Sequence, residues 1–212
     1  GLSDAKSAGT NFTGSLLVGH QTTGILDAAE YNTGVGLAAL DAITTGDGNT
    51  AAGYNALTAN TTGTGNVAFG YNTLAANTTA GQNLAVGYNA LAIQTTGGEF
   101  NTGIGNYSLD ANTIGDKNVA LGYGALTANS EGSYNLGIGA EALKINNTGA
   151  NNTALGNAAG DVITTGSNNV VIGSGSDPSA ADGSNQTVVG YNATGQANNS
   201  VTLGNADVTA VY

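Results

Sequence analysis

Residues that could perform catalysis are few and isolated in this sequence. His20 is the only histidine, and neither cysteine nor arginine accompanies it, so a general base has no supporting partner. Serine and threonine hydroxyls are abundant, but no spacing gives any of them an adjacent base. The acidic residues are scattered through predicted turns, as at Asp47, Glu99, Asp116 and Glu131. We therefore predict that the protein is not an enzyme and has no catalytic, cofactor or metal site.

Charge and composition exclude further classes of function. The 212 residues include 14 acidic and 3 basic ones, and the net charge is -11. Lys6, Lys117 and Lys144 alone cannot form a phosphate-binding groove, so nucleic-acid binding is not expected. No apolar run approaches the length of a membrane span, so membrane insertion is not expected either. Leu, Ile, Val and Phe supply 42 residues, too few for a conventional globular core.

The tyrosines are spaced so that their rings could form a ligand-binding surface. They recur every 17 residues at Tyr54, Tyr71 and Tyr88, and again at Tyr123 and Tyr191. A tyrosine ring offers an apolar face and a polar hydroxyl, which suits stacking on a sugar. Alternatively, the rings cover coil edges or pack between subunits, because a regular line is what repetition alone produces. Tyr54, Tyr71, Tyr88 and Tyr123 are the candidate glycan contacts.

The tyrosine spacing belongs to a repeat that runs through the whole chain. Twelve glycines recur at intervals of 17 residues, apart from one interval of 18 and a last one of 14. They are Gly19, Gly36, Gly53, Gly70, Gly87, Gly105, Gly122, Gly139, Gly156, Gly173, Gly190 and Gly204. We number each repeat so that this glycine is position 5. Position 1 is then asparagine in nine copies: Asn32, Asn49, Asn66, Asn83, Asn101, Asn118, Asn135, Asn152 and Asn169.

Positions 2 to 4 of each repeat predict a short β-strand. Positions 2 and 4 are mostly apolar or threonine, and position 3 between them is usually Ala or Gly, which is a period of two. Position 9 is leucine in seven consecutive copies from Leu40 to Leu143. We expect positions 2, 4 and 9 to form the core. The small residues at position 3, from Gly34 to Ala154, are then expected on the opposite face, where they allow close approach of another chain.

A unit of 17 residues cannot bury its own apolar face, so it must stack on its neighbours. The sequence therefore predicts an all-β fold, a parallel β-solenoid or β-roll of about twelve 17-residue coils that form a rod about 55 Å long. With the small residues of position 3 facing a common axis, we expect this rod to be a homotrimer. Residues 1–14 form a lead-in, and residues 15–212 form the repeat domain, with a shortened last coil at 190–212. The asparagines of position 1 are expected to stack as a structural ladder along the rod.

The unit Asn-Thr-Ala-Val-Gly-Tyr-Asn-Ala-Leu is close to Asn49–Leu57, Asn66–Leu74 and Asn83–Leu91. It resembles the repeats of phage tail fibres and large bacterial surface proteins. The last coils, with Val188–Gly190 and Asn199–Gly204, look like the head repeat of trimeric autotransporter adhesins, whose fold is a left-handed parallel β-roll assembled as a homotrimer. The chain begins at Gly1 without methionine and is expected to be part of a longer protein.

The resemblance implies an extracellular structural role. The first expectation is a fibre or adhesin shaft, preferably a phage tail-fibre segment in host attachment, whose partners are its own copies and a glycan or protein receptor on the host. The alternatives are an extracellular filament subunit and a bacterial trimeric adhesin head that binds a host surface or glycans. Ice binding by threonine arrays and carbohydrate hydrolysis are weaker alternatives.

Overall fold

The computed structural model describes residues 5–7, 14–19 and 28–210. His20 lies outside the described residues. Every regular element is a strand of three residues. The strands are β1 (Ala5–Ser7), β2 (Leu16–Val18), β3 (Thr33–Val35), β4 (Thr50–Ala52), β5 (Val67–Phe69), β6 (Leu84–Val86), β7 (Thr102–Ile104), β8 (Val119–Leu121), β9 (Leu136–Ile138), β10 (Thr153–Leu155), β11 (Val170–Ile172), β12 (Thr187–Val189) and β13 (Val201–Leu203).

The strands form one sheet in chain order, which is the topology of a β-solenoid. Strands β2 to β13 are parallel, and equivalent positions of successive repeats are paired, as in Thr50 with Val67 and Ala51 with Ala68. The prediction of an all-β parallel solenoid with a 17-residue spacing is confirmed, with twelve parallel strands and about eleven turns. Strand β1 lies within the predicted lead-in and pairs antiparallel with β2.

The small residues at position 3 point into the solenoid, contrary to the prediction. Ala51, Ala68, Ala85, Ala120 and Ala154 are fully buried. The flanking residues at positions 2 and 4 face outward and are half-buried or exposed in every strand from β2 to β13. Positions 2 and 4 therefore do not form the core, and position 3 cannot line a contact with another chain. Leucine at position 9 was correctly predicted as core, since Leu40 to Leu143 are fully buried.

Volume explains why position 3 is small. The interior of a coil holds one large apolar side chain beside the strand, and in seven coils that residue is the leucine of position 9. A methyl group on Gly34 would lie 2.5 Å from Leu17 Cδ2 and 3.5 Å from Leu40 Cδ1. Two coils without this leucine have a larger residue at position 3: Val171 shares its coil with Asp177, and Val188 shares its coil with Thr194. In the coil of Gly160, position 3 is Ala154, and the fully buried Ile163 of position 12 lies beside Gly160 instead. Close packing thus leaves no room for a large residue at position 3 where position 9 is leucine.

The glycines of position 5 turn the chain at the end of each strand. From Gly36 to Gly190 their φ angles lie between +133° and +145°, a region that side chains rarely adopt. A Cβ atom on Gly87 would also lie 2.6 Å from the carbonyl oxygen of Gly105 in the next coil. Both the backbone angle and the stacking distance therefore require glycine at this bend.

Candidate functional site

The nine asparagines of position 1 form a continuous buried column along the solenoid, which we call the first asparagine column. Each of them is at most 1% exposed. The side-chain oxygen of one asparagine accepts the backbone N–H of the next, as from Asn135 to Asn118 at 2.9 Å and from Asn118 to Asn101 at 2.8 Å. The column is thus a ladder, although most rungs join a side chain to a backbone amide and not two side chains.

The side-chain amides of this column are used as well. Asn118 Nδ2 donates to the carbonyl oxygen of Gly132 at 2.8 Å, and Asn135 Nδ2 donates to that of Gly149 at 2.8 Å. Eight of the nine asparagines therefore tie the start of their own strand to the next coil and to the turn that closes their own coil. The exception is Asn83, whose Nδ2 donates to the carbonyl oxygen of Gly81 in the preceding coil at 3.0 Å. Because these polar atoms are buried and partnered, the column holds backbone in place and offers no atoms to a ligand.

A second buried asparagine column lies at position 12 and was missed from the sequence. It comprises Asn60, Asn77, Gln94, Asn112, Asn129 and Asn146, all fully buried. Side chains bond directly along the column, as in Asn129 Nδ2 to Asn112 Oδ1 at 3.0 Å and Asn146 Nδ2 to Asn129 Oδ1 at 2.8 Å. The same 17-residue frame that located position 1 contained this signal.

Gln94 accommodates the single extra residue of the repeat. In its neighbours, the position-12 amide donates to a carbonyl three residues ahead, as Asn112 does to Gly115 at 3.0 Å. In the 18-residue coil the acceptor is four residues ahead, and Gln94 reaches the oxygen of Gly98 at 2.5 Å with its additional methylene. This diversion leaves Asn77 Oδ1 buried without a partner, and Asn146 Oδ1 is unpartnered because Ile163 follows it in the column.

The predicted tyrosine contacts form a row on the outside of the solenoid, just past the glycine bend. Ring centroids of Tyr54 and Tyr71 are 5.1 Å apart, and those of Tyr71 and Tyr88 are 5.0 Å apart with the planes 5° from parallel. Stacked rings cover one another's faces, so this part of the row presents ring edges and hydroxyls to solvent. The geometry favours the edge-covering role for these three tyrosines over stacking on sugars.

The parallel stacking of the tyrosine rings ends at Tyr88. The next tyrosine is Tyr107, which stands at position 7 and not position 6, and its ring meets Tyr88 at 64° and Tyr123 at 84°. Tyr123 is 56% exposed and adjoins a cleft that Tyr107 also lines. Tyr123, one of the predicted glycan contacts, thus stands beside a cavity. Tyr107 was missed because its offset by one residue breaks the alignment of the row.

The outward residues at positions 2 and 4 of strands β2 to β13 form a second surface, which we call the strand face. It contains only Leu, Val, Ile, Phe, Ala and Thr, and the described strands place no charged residue on it. Large side chains on it are exposed, including Phe69 at 55% and Leu121 at 43%. An uncharged strip of this length is unusual on the surface of a monomeric protein.

Two of the acidic residues scattered through the turns accept backbone hydrogen bonds. Asp47 accepts the backbone N–H of Glu30 at 2.7 Å, and Asp116 accepts that of Glu99 at 2.7 Å. Among residues 5–7, 14–19 and 28–210, no group of three or more His, Cys, Asp or Glu side chains is arranged to hold a metal ion.

One carboxyl group, that of Asp177, stands at position 9 in place of the core leucine. Burial, together with the nearby charge of Asp161, raises the pKa of Asp177 to about 6. The carboxylate accepts a long hydrogen bond of 3.4 Å from the backbone N–H of Val162. This group is therefore a source of pH-dependent stability in the last coils.

Comparison with known proteins found no matching family model, no similar curated sequence and no similar solved structure. Within the part of the chain that the structure describes, no helix is long and apolar enough to cross a membrane.

Proposed function

We propose that this chain is a segment of a homotrimeric extracellular fibre, of the type that forms phage tail-fibre shafts and takes part in host attachment. In this role the solenoid holds a receptor-binding region away from the particle and offers its outer surface to host glycans. It acts as a structural spacer and attachment surface, not as an enzyme.

The strand face is the observation that carries this proposal. It extends over twelve strands, carries no charge and leaves large apolar side chains in contact with water. Covering such a strip is favourable by about 25 cal/mol per Å² of apolar area. Because each strand has only three residues, the strip is roughly 10 Å wide, which is narrow enough for three copies to meet about one axis. The interface is thus assigned to positions 2 and 4, in place of position 3.

The interior supports a role as a stiff spacer. Two columns of buried, hydrogen-bonded asparagines and the backbone pairing of twelve parallel strands join every coil to the next. In a solenoid each repeat contacts only its neighbours, so such regular links give the rod a fixed direction. At roughly 4.8 Å per strand, the twelve strands span about 55 Å.

The test is the mass of the assembly in solution. At micromolar concentration we expect three times the chain mass of 20.6 kDa by light scattering. Leu121→Glu places a charge on the strand face and is expected to give a lower mass with the β-sheet circular dichroism retained. Ile114→Glu is the matched control: Ile114 is 54% exposed at position 14, where the next coil carries Glu131, so its mass should stay trimeric.

A wild-type monomer at this concentration would overturn the trimer, and a trimer that Leu121→Glu leaves intact would overturn the strand face as the interface. If Leu121→Glu does not fold, the milder Leu121→Thr, which uses a residue already common on this face, should weaken assembly and can be compared with the control. Concentration-dependent filaments in negative-stain micrographs would instead favour the filament subunit.

A further inference from the structure

A cleft in the outer surface of the solenoid lies where three successive coils depart from the repeat. Its volume is about 280 Å³. Positions 6, 7 and 10 of these coils line it, through Asp110, Tyr123, Gly124, Thr127, Glu141 and Lys144. Pockets for drug-sized ligands occupy roughly 300 to 1,000 Å³, so this one suits a single small molecule.

The cleft exists because Gly124 has no side chain. At position 7 the earlier coils carry Asn55, Asn72 and Asn89, whose φ angles are 55°, 53° and 54°. Gly124 has nearly the same φ, at +60°, and the only atom within 4 Å of a Cβ built on it is Glu141 Cγ, at 3.9 Å. Neither the backbone nor the packing therefore requires glycine here. The missing side chain leaves open the space that asparagine fills in the repeat.

Three charged side chains lie around this space, although the chain as a whole carries very few charges. Lys144, one of three basic residues in the sequence, lies beside Glu141 with Nζ to Oε1 at 2.9 Å, and this contact raises the pKa of Lys144. The hydroxyl of Thr127 donates to the carboxylate of Asp110, whose pKa burial raises. Ammonium, hydroxyl and carboxylate groups thus line a single cleft beside an exposed tyrosine ring.

We infer that this cleft is a binding site for one neutral pyranose unit of a glycan. The ring of Tyr123 is 56% exposed and lies at 84° to that of Tyr107, so the two rings are not stacked face to face as in the earlier part of the row. It gives an apolar surface on which the C–H face of a sugar can stack. The carboxylates of Asp110 and Glu141 accept hydrogen bonds from sugar hydroxyls, and the Lys144 ammonium donates to them.

The charges select among ligands of this size. Two carboxylates and one ammonium leave a net negative charge in the cleft, which disfavours acidic sugars and phosphates. A small cation gains from the carboxylates, but Glu141 is already paired with Lys144, whose ammonium repels a second cation. A neutral sugar uses all of these groups without burying an unpaired charge. This site deepens the proposed attachment role and rests on that role for its biological meaning.

The experiment is saturation-transfer difference NMR on the full chain with glucose, galactose, mannose and N-acetylglucosamine as separate probes, and with sialic acid and choline as charged comparators. At least one neutral sugar is expected to receive saturation. Gly124→Asn restores the repeat residue, fills the cleft and is expected to abolish the signal. Gly65→Asn is the matched control, since Gly65 also has a left-handed φ, of +66°, and lies away from the cleft; it should retain the signal.

Absence of signal from all four neutral sugars, a signal that survives Gly124→Asn, or binding of sialic acid or choline alone would overturn the assignment. Light scattering on the same samples separates this proposal from the proposed assembly. A trimer that binds no sugar overturns only the cleft, and a monomer that binds sugar through the cleft overturns only the trimer.

Discussion

Replacement of Asn118 by alanine tests whether the first asparagine column holds the coils together. Asn118 is fully buried, accepts the backbone N–H of Asn135 at 2.9 Å and donates to the carbonyl oxygen of Gly132 at 2.8 Å. Gly132 keeps a second donor, Asn129 Nδ2, at 2.9 Å. The alanine variant therefore loses two hydrogen bonds but leaves one buried group, the N–H of Asn135, without a partner.

The expected cost follows from these contacts. Each hydrogen bond contributes about 1 kcal/mol net, and an unpaired buried amide costs about 1 to 3 kcal/mol. We expect Asn118→Ala to lower the free energy of unfolding by about 2 to 4 kcal/mol per chain. Urea unfolding followed by circular dichroism measures this, at one fixed protein concentration because assembly contributes to stability. Hydrogen exchange should also show faster exchange of the Asn135 amide.

Two further variants make the test specific. Asn157→Ala removes an exposed asparagine with one side-chain bond, to the oxygen of Ala140 at 3.2 Å, and should cost less than about 0.5 kcal/mol. Asn118→Asp keeps the acceptor but sets a carboxylate oxygen against the Gly132 carbonyl. Its destabilisation should exceed that of alanine at pH 7 and diminish in acid, where the protonated group can donate. Equal stability of Asn118→Ala and wild type, or an Asn118→Asp variant insensitive to pH, would refute the reasoning.

Three more predictions follow from the packing of the coils. Gly87→Ala should lower the free energy of unfolding in urea by more than about 3 kcal/mol, because it combines a φ of +138° with a backbone clash. Gly65→Ala, whose Cβ would have its nearest atom at 3.6 Å, should cost about 1 kcal/mol. Similar costs for the two variants would contradict the clash. Leu109→Ala removes a fully buried side chain and should cost about 2 to 5 kcal/mol, and a smaller loss would show that the coil collapses around the cavity. The pKa of Asp177 is raised to about 6, so the folded protein binds the carboxyl proton more tightly than the unfolded chain does. The stability that this proton contributes is fully present below about pH 4 and is lost as the pH rises through 6. Asp177→Asn should therefore raise the free energy of unfolding at pH 8 by about 1 kcal/mol, after allowance for solvent screening of a half-buried group. Thermal unfolding from pH 4 to 8 would argue against this if stability falls with pH as steeply in the variant as in the wild type.

The sequence alone determined the repeat and most of what depends on it. Three features could be predicted from it: the 17-residue spacing, the three-residue strand before each glycine and the buried leucine of position 9. They recur because every coil must reproduce the same backbone bend and stack in register on its neighbours. The ladder of asparagines at position 1 could be predicted for the same reason. The second column at position 12 carried an equal signal, down to the substitution of Gln94 where the coil is one residue longer.

Only the tertiary structure decided which side of the strand is inside. A strand of three residues places two side chains on one side and one on the other, and alternation alone does not say which side faces the interior. Hydrophobicity pointed to positions 2 and 4 as core, but in the seven coils with leucine at position 9 that side chain, such as Leu109, already fills the interior beside the strand. In these coils position 3 must therefore be small, and Ala120 lies inside while Leu121 lies outside. The cleft at Gly124 likewise needed the structure, since it depends on groups from three coils that meet only when the coils are stacked.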